Sequence, residues 1–244
     1  MRVIANMVVR NEEERYLDSC LAWLGHHVDE IFITDDRSTD DTVGLAIDHG
    51  ATVYTRGDDE PSFLEAEGLF RAISWQRMLE TFQPTSSDWV LGIDADEYPV
   101  CVNVRTVCDE ANRSGYGSIN IKIPEIFSIN PLAERVDGFW GGIVGTRLAR
   151  YVTGPQEFRQ AGMGSGMFPS YAYSCRNWNE RDDCGLRILH FGYADPLDRQ
   201  EKYDRYTNQT KSGHAGSHIE SILQTPKLKD WDGPAPSVWR GWSV

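Results

Sequence analysis

The sequence has no excess of positive charge. Its 244 residues carry 24 Lys and Arg against 37 Asp and Glu, a formal net charge of -13. Nucleic-acid binding draws on Lys and Arg to neutralise phosphates, so this balance argues against a nucleic-acid partner. It also disfavours attachment to an anionic membrane surface. No apolar run approaches the ~20 residues of a spanning helix. No secretory leader stands at the start, where Met1-Arg2 and a short apolar run lead directly into Asn11-Glu12-Glu13-Glu14. The five cysteines are odd in number and lack Cys-x-x-Cys spacing, which fits neither a disulfide framework nor a zinc site. Reduced thiols in a cytoplasmic protein are the resulting expectation. No internal repeat is found.

What is present is ordinary globular composition, 40% hydrophobic and 25% charged, in a chain long enough for a sizeable core. Val3 to Val9 is a nearly continuous apolar run, the pattern of a strand buried on both faces of a parallel sheet. Asn11 with Glu14 has capping-box spacing, and Tyr16, Leu17, Cys20, Leu21 and Leu24 then recur as a helix face to about Gly25. Ile31-Phe32-Ile33 predicts a second strand ending at Asp35-Asp36, followed by a helix capped by Ser38 or Thr39 and closed by Gly50. Thr52-Val53-Tyr54 predicts a third strand, so the opening of the chain alternates strand and helix as parallel α/β sheets do.

A helix ending near Phe82 precedes the strand Trp89 to Ile93, with Pro99 expected to stop it. At its exit stand Asp94 and Asp96, whose side chains lean the same way in extended chain. Two such carboxylates repel unless a cation or donors compensate. A divalent ion that also holds phosphates needs only one or two of them. A helix over 104–113 and an alternating strand, Ile119-Ile121-Ile123, follow. From Pro124 to Arg187 glycines and aromatics occur without clean period, as in loops and short strands that build a binding face. Ile188 to Tyr193 is a short strand, Asp195 and Pro196 open a helix to about Thr210, and Trp231, Trp239 and Trp242 mark a tail with packing anchors. Ligands of open parallel sheets bind outside the carboxyl ends of the strands, which here carry Arg10 and Asn11, Asp35 and Asp36, and Asp94 and Asp96.

Four stretches in order carry a family resemblance: Val8 to Glu13 with Arg10-Asn11-Glu12, Ile33 to Thr42 with Asp35-Asp36, Gly92 to Glu97 with Asp94-Ala95-Asp96, and His190-Phe191-Gly192-Tyr193 followed by Lys202 and Tyr206. Over about residues 1–210 the chain resembles family-2-type glycosyltransferases of the GT-A fold. The implied fold is an α/β, GT-A-type nucleotide-binding sandwich with a mostly parallel central sheet, plus a Trp-rich C-terminal tail. Residues 1–100 would form the nucleotide-sugar-binding half, 101–210 the acceptor-side half, and 211–244 a C-terminal helix and tail. The implied activity is hexosyl transfer, metal-dependent and inverting, from a nucleotide-diphosphate sugar, a UDP-sugar, to a hydroxyl acceptor that is a glycan, small molecule or protein.

Residue by residue, Asp36 resembles the aspartate that reads the nucleobase, with Asp35 beside it and Val8 and Arg10 on the neighbouring strand end. Asp94 resembles the ribose-side aspartate of the DxD motif, Asp96 the ligand of Mn2+ or Mg2+, and His190 the histidine reaching the same metal. Imidazole favours Mn2+ over Mg2+. Arg71 and Lys202 are candidate diphosphate contacts. Many relatives carry Gly where this chain has Arg37. The general base is expected at Glu157, with Asp183 as second choice and Glu125, Asp137 and Asp182 as further candidates. A catalytically inactive sugar-nucleotide-binding or adaptor domain and a nucleotidyltransferase are the competing classes, the latter lacking here its glycine-rich signature loop.

Overall fold

The computed structural model describes residues 1–100, 103–159, 166–178, 184–209, 217–234 and 236. The first half runs β1 (Val3–Val9), α1 (Leu17–His27), β2 (Glu30–Asp35), α2 (Thr42–Asp48), β3 (Thr52–Thr55), α3 (Glu67–Phe82), β4 (Trp89–Gly92), β5 (Glu97–Val100) and α4 (Val104–Arg113). The second half runs β6 (Ser118–Lys122), β7 (Ile126–Ile129), β8 (Leu132–Arg135), a 3-10 turn (Gly138–Gly142), β9 (Val144–Arg150), α5 (Tyr171–Ser174), β10 (Asn177–Trp178), β11 (Arg187–His190), α6 (Pro196–Gln209), α7 (Ser217–Ser221) and β12 (Leu228–Asp230).

A nine-stranded sheet has the order β3-β2-β1-β4-β9-β6-β11-β5, with β10 beside β6. It is parallel from β3 to β4 and mixed beyond, where β9 runs antiparallel to both β4 and β6. Alternation of side chains along β1 explains the layers. Val3, Ala5, Met7 and Val9 pack with Leu17, Leu21 and Leu24 of α1, while Ile4 packs on the other face with Trp75 and Met78 of α3. Asn6, polar within this apolar strand, accepts from Ser74 Oγ at 3.1 Å, and Ser74 Oγ in turn accepts from Thr34 at 2.8 Å. A second sheet, β12-β8-β7, stands apart. Its aromatic cluster of Phe127, Trp140 and Tyr193 takes Ile219 and Ile222 from the α7 segment.

Buried Arg135 ties this region together. Its Nε and Nη2 donate to Asp137 at 2.8 and 2.9 Å, its Nη1 donates to the Ser221 carbonyl at 2.8 Å, and its guanidinium lies 4.9 Å from the Phe127 ring centre. The tail therefore contributes more than anchors: β12 pairs antiparallel with β8, and Trp231 packs on the main core. Trp239 and Trp242 lie outside the described residues.

Three local expectations are corrected. Asn11 does not cap α1, which starts at Leu17 without a side-chain cap. Its backbone is left-handed (φ 54°) and its Oδ1 accepts from the Thr39 amide at 2.8 Å, so the side chain is used to join two loops. Ser38 and Thr39 do not cap α2 either; Ser38 Oγ accepts from the Asn11 amide at 2.9 Å, and Asp41 takes the N-cap position. Pro99 does not stop a strand but sits inside β5, an edge strand where a missing N–H is tolerated. The chain breaks earlier, at a turn through Ala95 and Asp96.

Candidate active site

The strand order reverses at β1, with β2 on one side and β4 on the other, and such a switch point opens a crevice at the strand ends. A cleft of about 420 Å³ lies there. Val8 and Arg10 come from the end of β1, Asp36 from the end of β2, Arg71 from α3, Asp94 and Asp96 from the turn after β4, His190 from β11 and Lys202 from α6. Eight expected site residues thus share one cleft.

Asp36 is buried, its carboxylate paired with Arg56 and accepting from the Phe63 amide at 3.2 Å, with Arg10 at 3.5 Å. Asp35 is not in the cleft lining; both its oxygens accept from the Ser38 amide, at 3.1 and 3.2 Å, which closes the loop after β2. Arg37 takes a left-handed conformation (φ 60°) and pairs with Asp58, which shows why glycine suits this position. Asp94 is the more open aspartate of the pair, its side chain 34% exposed against 15% for Asp96, and its Oδ1 lies 3.6 Å from Arg71. Glu97 braces the turn, accepting from the Asp94 amide at 3.0 Å and pairing with Arg147 of β9. Burial outweighs Arg147 and pushes the Glu97 carboxyl up.

The floor of the cleft is set by strand register. β5 and β11 pair antiparallel with Glu97 opposite His190, and the Phe191 amide donates to the Asp96 carbonyl at 2.8 Å. His190 Nε2 then lies 3.3 Å from Asp96 Oδ2, and Lys202 Nζ donates to that same oxygen at 3.0 Å. His190 Nδ1 reaches Glu125 at 2.6 Å. Burial alone would raise Asp96, but Lys202 and His190 hold it well below the usual carboxylate range. Burial would likewise lower His190, yet the Glu125 and Asp96 carboxylates hold it well above its ordinary value. Gly192 makes the convergence sterically feasible. A Cβ there would fall 1.9 Å from Lys202 Nζ, 2.5 Å from Asp96 Oδ2 and 2.7 Å from His190 Nε2.

Among the described residues no three His, Cys, Asp or Glu side chains form a metal-holding group. Asp96 and His190 nevertheless suit an ion that takes its remaining ligands from diphosphate and water. Two adjacent ligands of an octahedral ion with bonds of about 2.1 Å sit about 3 Å apart, close to the 3.3 Å between Oδ2 and Nε2. Glu125 on the second ring nitrogen is the outer partner that metal-bound imidazoles use. The residues fit a divalent cation.

The candidate bases are dispersed. Glu157 is exposed and absent from the cleft lining; its carbonyl accepts from Ser170 at 2.7 Å while Phe158 packs on Trp75, which leaves the carboxylate in solvent. Asp182 and Asp183 lie outside the described residues. Glu125 is buried behind His190, and Asp137 is bound to Arg135.

Two features were missed in the sequence. Asp198, Glu201 and Arg205 line the cleft beside Lys202 and Tyr206, which the sequence had already singled out, and their spacing of three and four residues is the signal of one helix face. Glu12 was the other. Its Oε2 is buried without a hydrogen-bond partner, and burial pushes its carboxyl up to about 8, Arg15 opposing. Arg15 itself pairs with Asp198 at 3.0 Å.

No family model matches the sequence, and no curated protein does. Solved structures do match. S. aureus TarS aligns over 91% of this chain and 42% of its own, with 15% identity and a TM-score of 0.51. The shorter S. aureus TarS 1-349 in complex with UDP aligns over 91% of this chain and 70% of its own, again at 15% identity and a TM-score of 0.51. These neighbours are GT-A-type glycosyltransferases, and the fold described above is of that type. The chain thus spans less than half the length of the full TarS chain.

Proposed function

We propose that this protein transfers a hexosyl group from a UDP-sugar, held together with Mn2+ or Mg2+, to a hydroxyl acceptor with inversion. The observation that carries the proposal is the convergence of Asp96 and His190 at 3.3 Å beneath a switch-point cleft whose far wall holds Asp36. The UDP bound by TarS 1-349, a neighbour in fold, is consistent with the nucleotide. Asp36 and Val8 face the base, Asp94 the ribose and sugar, and Arg71, Arg10 and Lys202 the diphosphate. Asp96 and His190 would hold the ion, with Glu125 fixing the imidazole. When bound, that ion neutralises charge on the departing diphosphate as a Lewis acid. Arg71, wedged between Glu67 and Asp94, keeps its guanidinium oriented for the same oxygens. The acceptor oxygen attacks the anomeric carbon and gives its proton to a carboxylate, the part for which the sequence offers Asp183 beside the solvent-exposed Glu157.

Among the described residues no helix is long and apolar enough to cross a membrane, which suits a protein, glycan or small-molecule acceptor in water. The test is calorimetric titration of UDP with Mn2+, followed by UDP release from a panel of UDP-sugars. Wild type is expected to bind and release UDP, and Asp96→Ala to do neither. Unchanged UDP release by Asp96→Ala, or binding without turnover across sugars and acceptors, refutes the assignment.

A further inference from the structure

We infer that Lys202 is a tethered competitor of the metal ion for Asp96, so that metal and nucleotide diphosphate load together and leave together. This inference rests on the function proposed above. It begins with the crowding over Gly192. The space that one methyl group would fill there is bounded by Lys202 Nζ, Asp96 Oδ2 and His190 Nε2, at 1.9, 2.5 and 2.7 Å from the Cβ position. Such a space admits one cation. The ammonium occupies it in a defined way, donating to Oδ2 at 3.0 Å and lying 4.7 Å from the centre of the Tyr193 ring, an aromatic face that attracts cations.

An ion ligated by Oδ2 would sit within a few ångströms of Nζ, and two positive charges at that distance repel strongly in a largely buried site. Metal binding therefore requires Lys202 to withdraw. The side chain has a flexible four-carbon stem on α6, whose first turn is held by the Leu197 amide donating to Asp195 at 2.6 Å. Asp198, one turn earlier on that helix, is already taken by Arg15 at 3.0 Å. An incoming diphosphate supplies an anionic partner inside the same cleft. The ammonium then exchanges a carboxylate oxygen for a phosphate oxygen as the ion takes its place. When the nucleoside diphosphate departs, Lys202 returns to Asp96 and expels the ion.

The experiment is a Mn2+ titration followed by electron paramagnetic resonance of free Mn2+, on the full chain, with and without UDP. The proteins are wild type, Lys202→Met and Lys202→Arg, each checked for folding by its thermal transition. Without UDP, Lys202→Met is expected to bind Mn2+ at least about tenfold tighter than wild type, the loss of one charge-assisted contact. Lys202→Arg, which keeps the competing charge, is expected to stay as weak as wild type. Equal Mn2+ affinity of wild type and Lys202→Met without UDP, with wild type binding Mn2+ in the presence of UDP, overturns the competition alone. Absence of Mn2+ binding by all three proteins even with UDP overturns the proposed metal-dependent function as well.

Discussion

Glu12 allows the electrostatics of the cleft to be tested by stability rather than by turnover. Arg15 Nε stands 3.6 Å from its buried Oε2, too far to hydrogen-bond, and burial pushes the carboxyl from 4.5 up to about 8. Between these two values the unfolded chain has lost the Glu12 proton while the folded chain keeps it. The folded state binds more protons there, so stability falls as pH rises through that window and levels off above about 8. At about 1.36 kcal/mol per pH unit the full effect is roughly 5 kcal/mol. Rotation of Arg15 onto the ionised carboxylate recovers about 2 kcal/mol, the value of a charged hydrogen bond. The remaining 3 kcal/mol or so corresponds to about 6–12 °C in Tm for a chain of this length. Glu12→Gln keeps the shape of the neutral acid and cannot ionise. Thermal melts of the two proteins should coincide near about pH 5 and diverge by that amount near about pH 9, with the variant more stable. Parallel melting curves across the range, or a variant less stable at the alkaline end, would refute the reasoning.

Two further outcomes are expected. Gly192→Ala places a Cβ among Lys202, Asp96 and His190; because these are side-chain ends that can shift, Tm should move by no more than about 4 °C, while calorimetric affinity for Mn2+ with UDP falls at least about tenfold. Arg135→Ala removes two donors to Asp137 and one to the Ser221 carbonyl, which keep the Lys227 and Gln224 amides; urea unfolding should show a loss of about 2–5 kcal/mol, the range for emptying the site of a large buried side chain, and amide exchange in β12 and α7 should accelerate more than in β1. A loss below about 1 kcal/mol would show that the guanidinium is not a structural clamp.

β1, β2 and β4 were legible because they are buried on both faces and read as apolar runs, and the carboxylates gathered at their ends marked the cleft. That route and the family resemblance together singled out Asp36, Asp94, Asp96 and His190, which share one cleft. Asn11 was misread since spacing reveals a cap only when the side chain is free to make it, and this one is committed to Thr39. Pro99 was misread because edge position is a property of the sheet, set by β11 arriving much later in the chain. Glu12 sits in a run of three glutamates that resembles a solvated face, and only the fold turns one of them inward. From Pro124 to Arg187 the elements are short, several pair with distant strands, and no period of useful length survives. The choice of Glu157 depended on that segment, and the structure leaves this residue exposed outside the cleft lining.

The pairing of Glu97 with His190 across β5 and β11 has a consequence for how this protein matures. Successive side chains of a strand alternate faces, so a slip of one residue in that ladder would turn His190 away from Asp96 and send its neighbour into the cleft. The two strands are short and lie at one end of the sheet, where the His190 amide on the Pro124 carbonyl and the Glu97–Arg147 pair also hold the aligned register. The His190–Asp96 contact forms only in the aligned register. That contact thereby ties the register of the edge strand to the cleft.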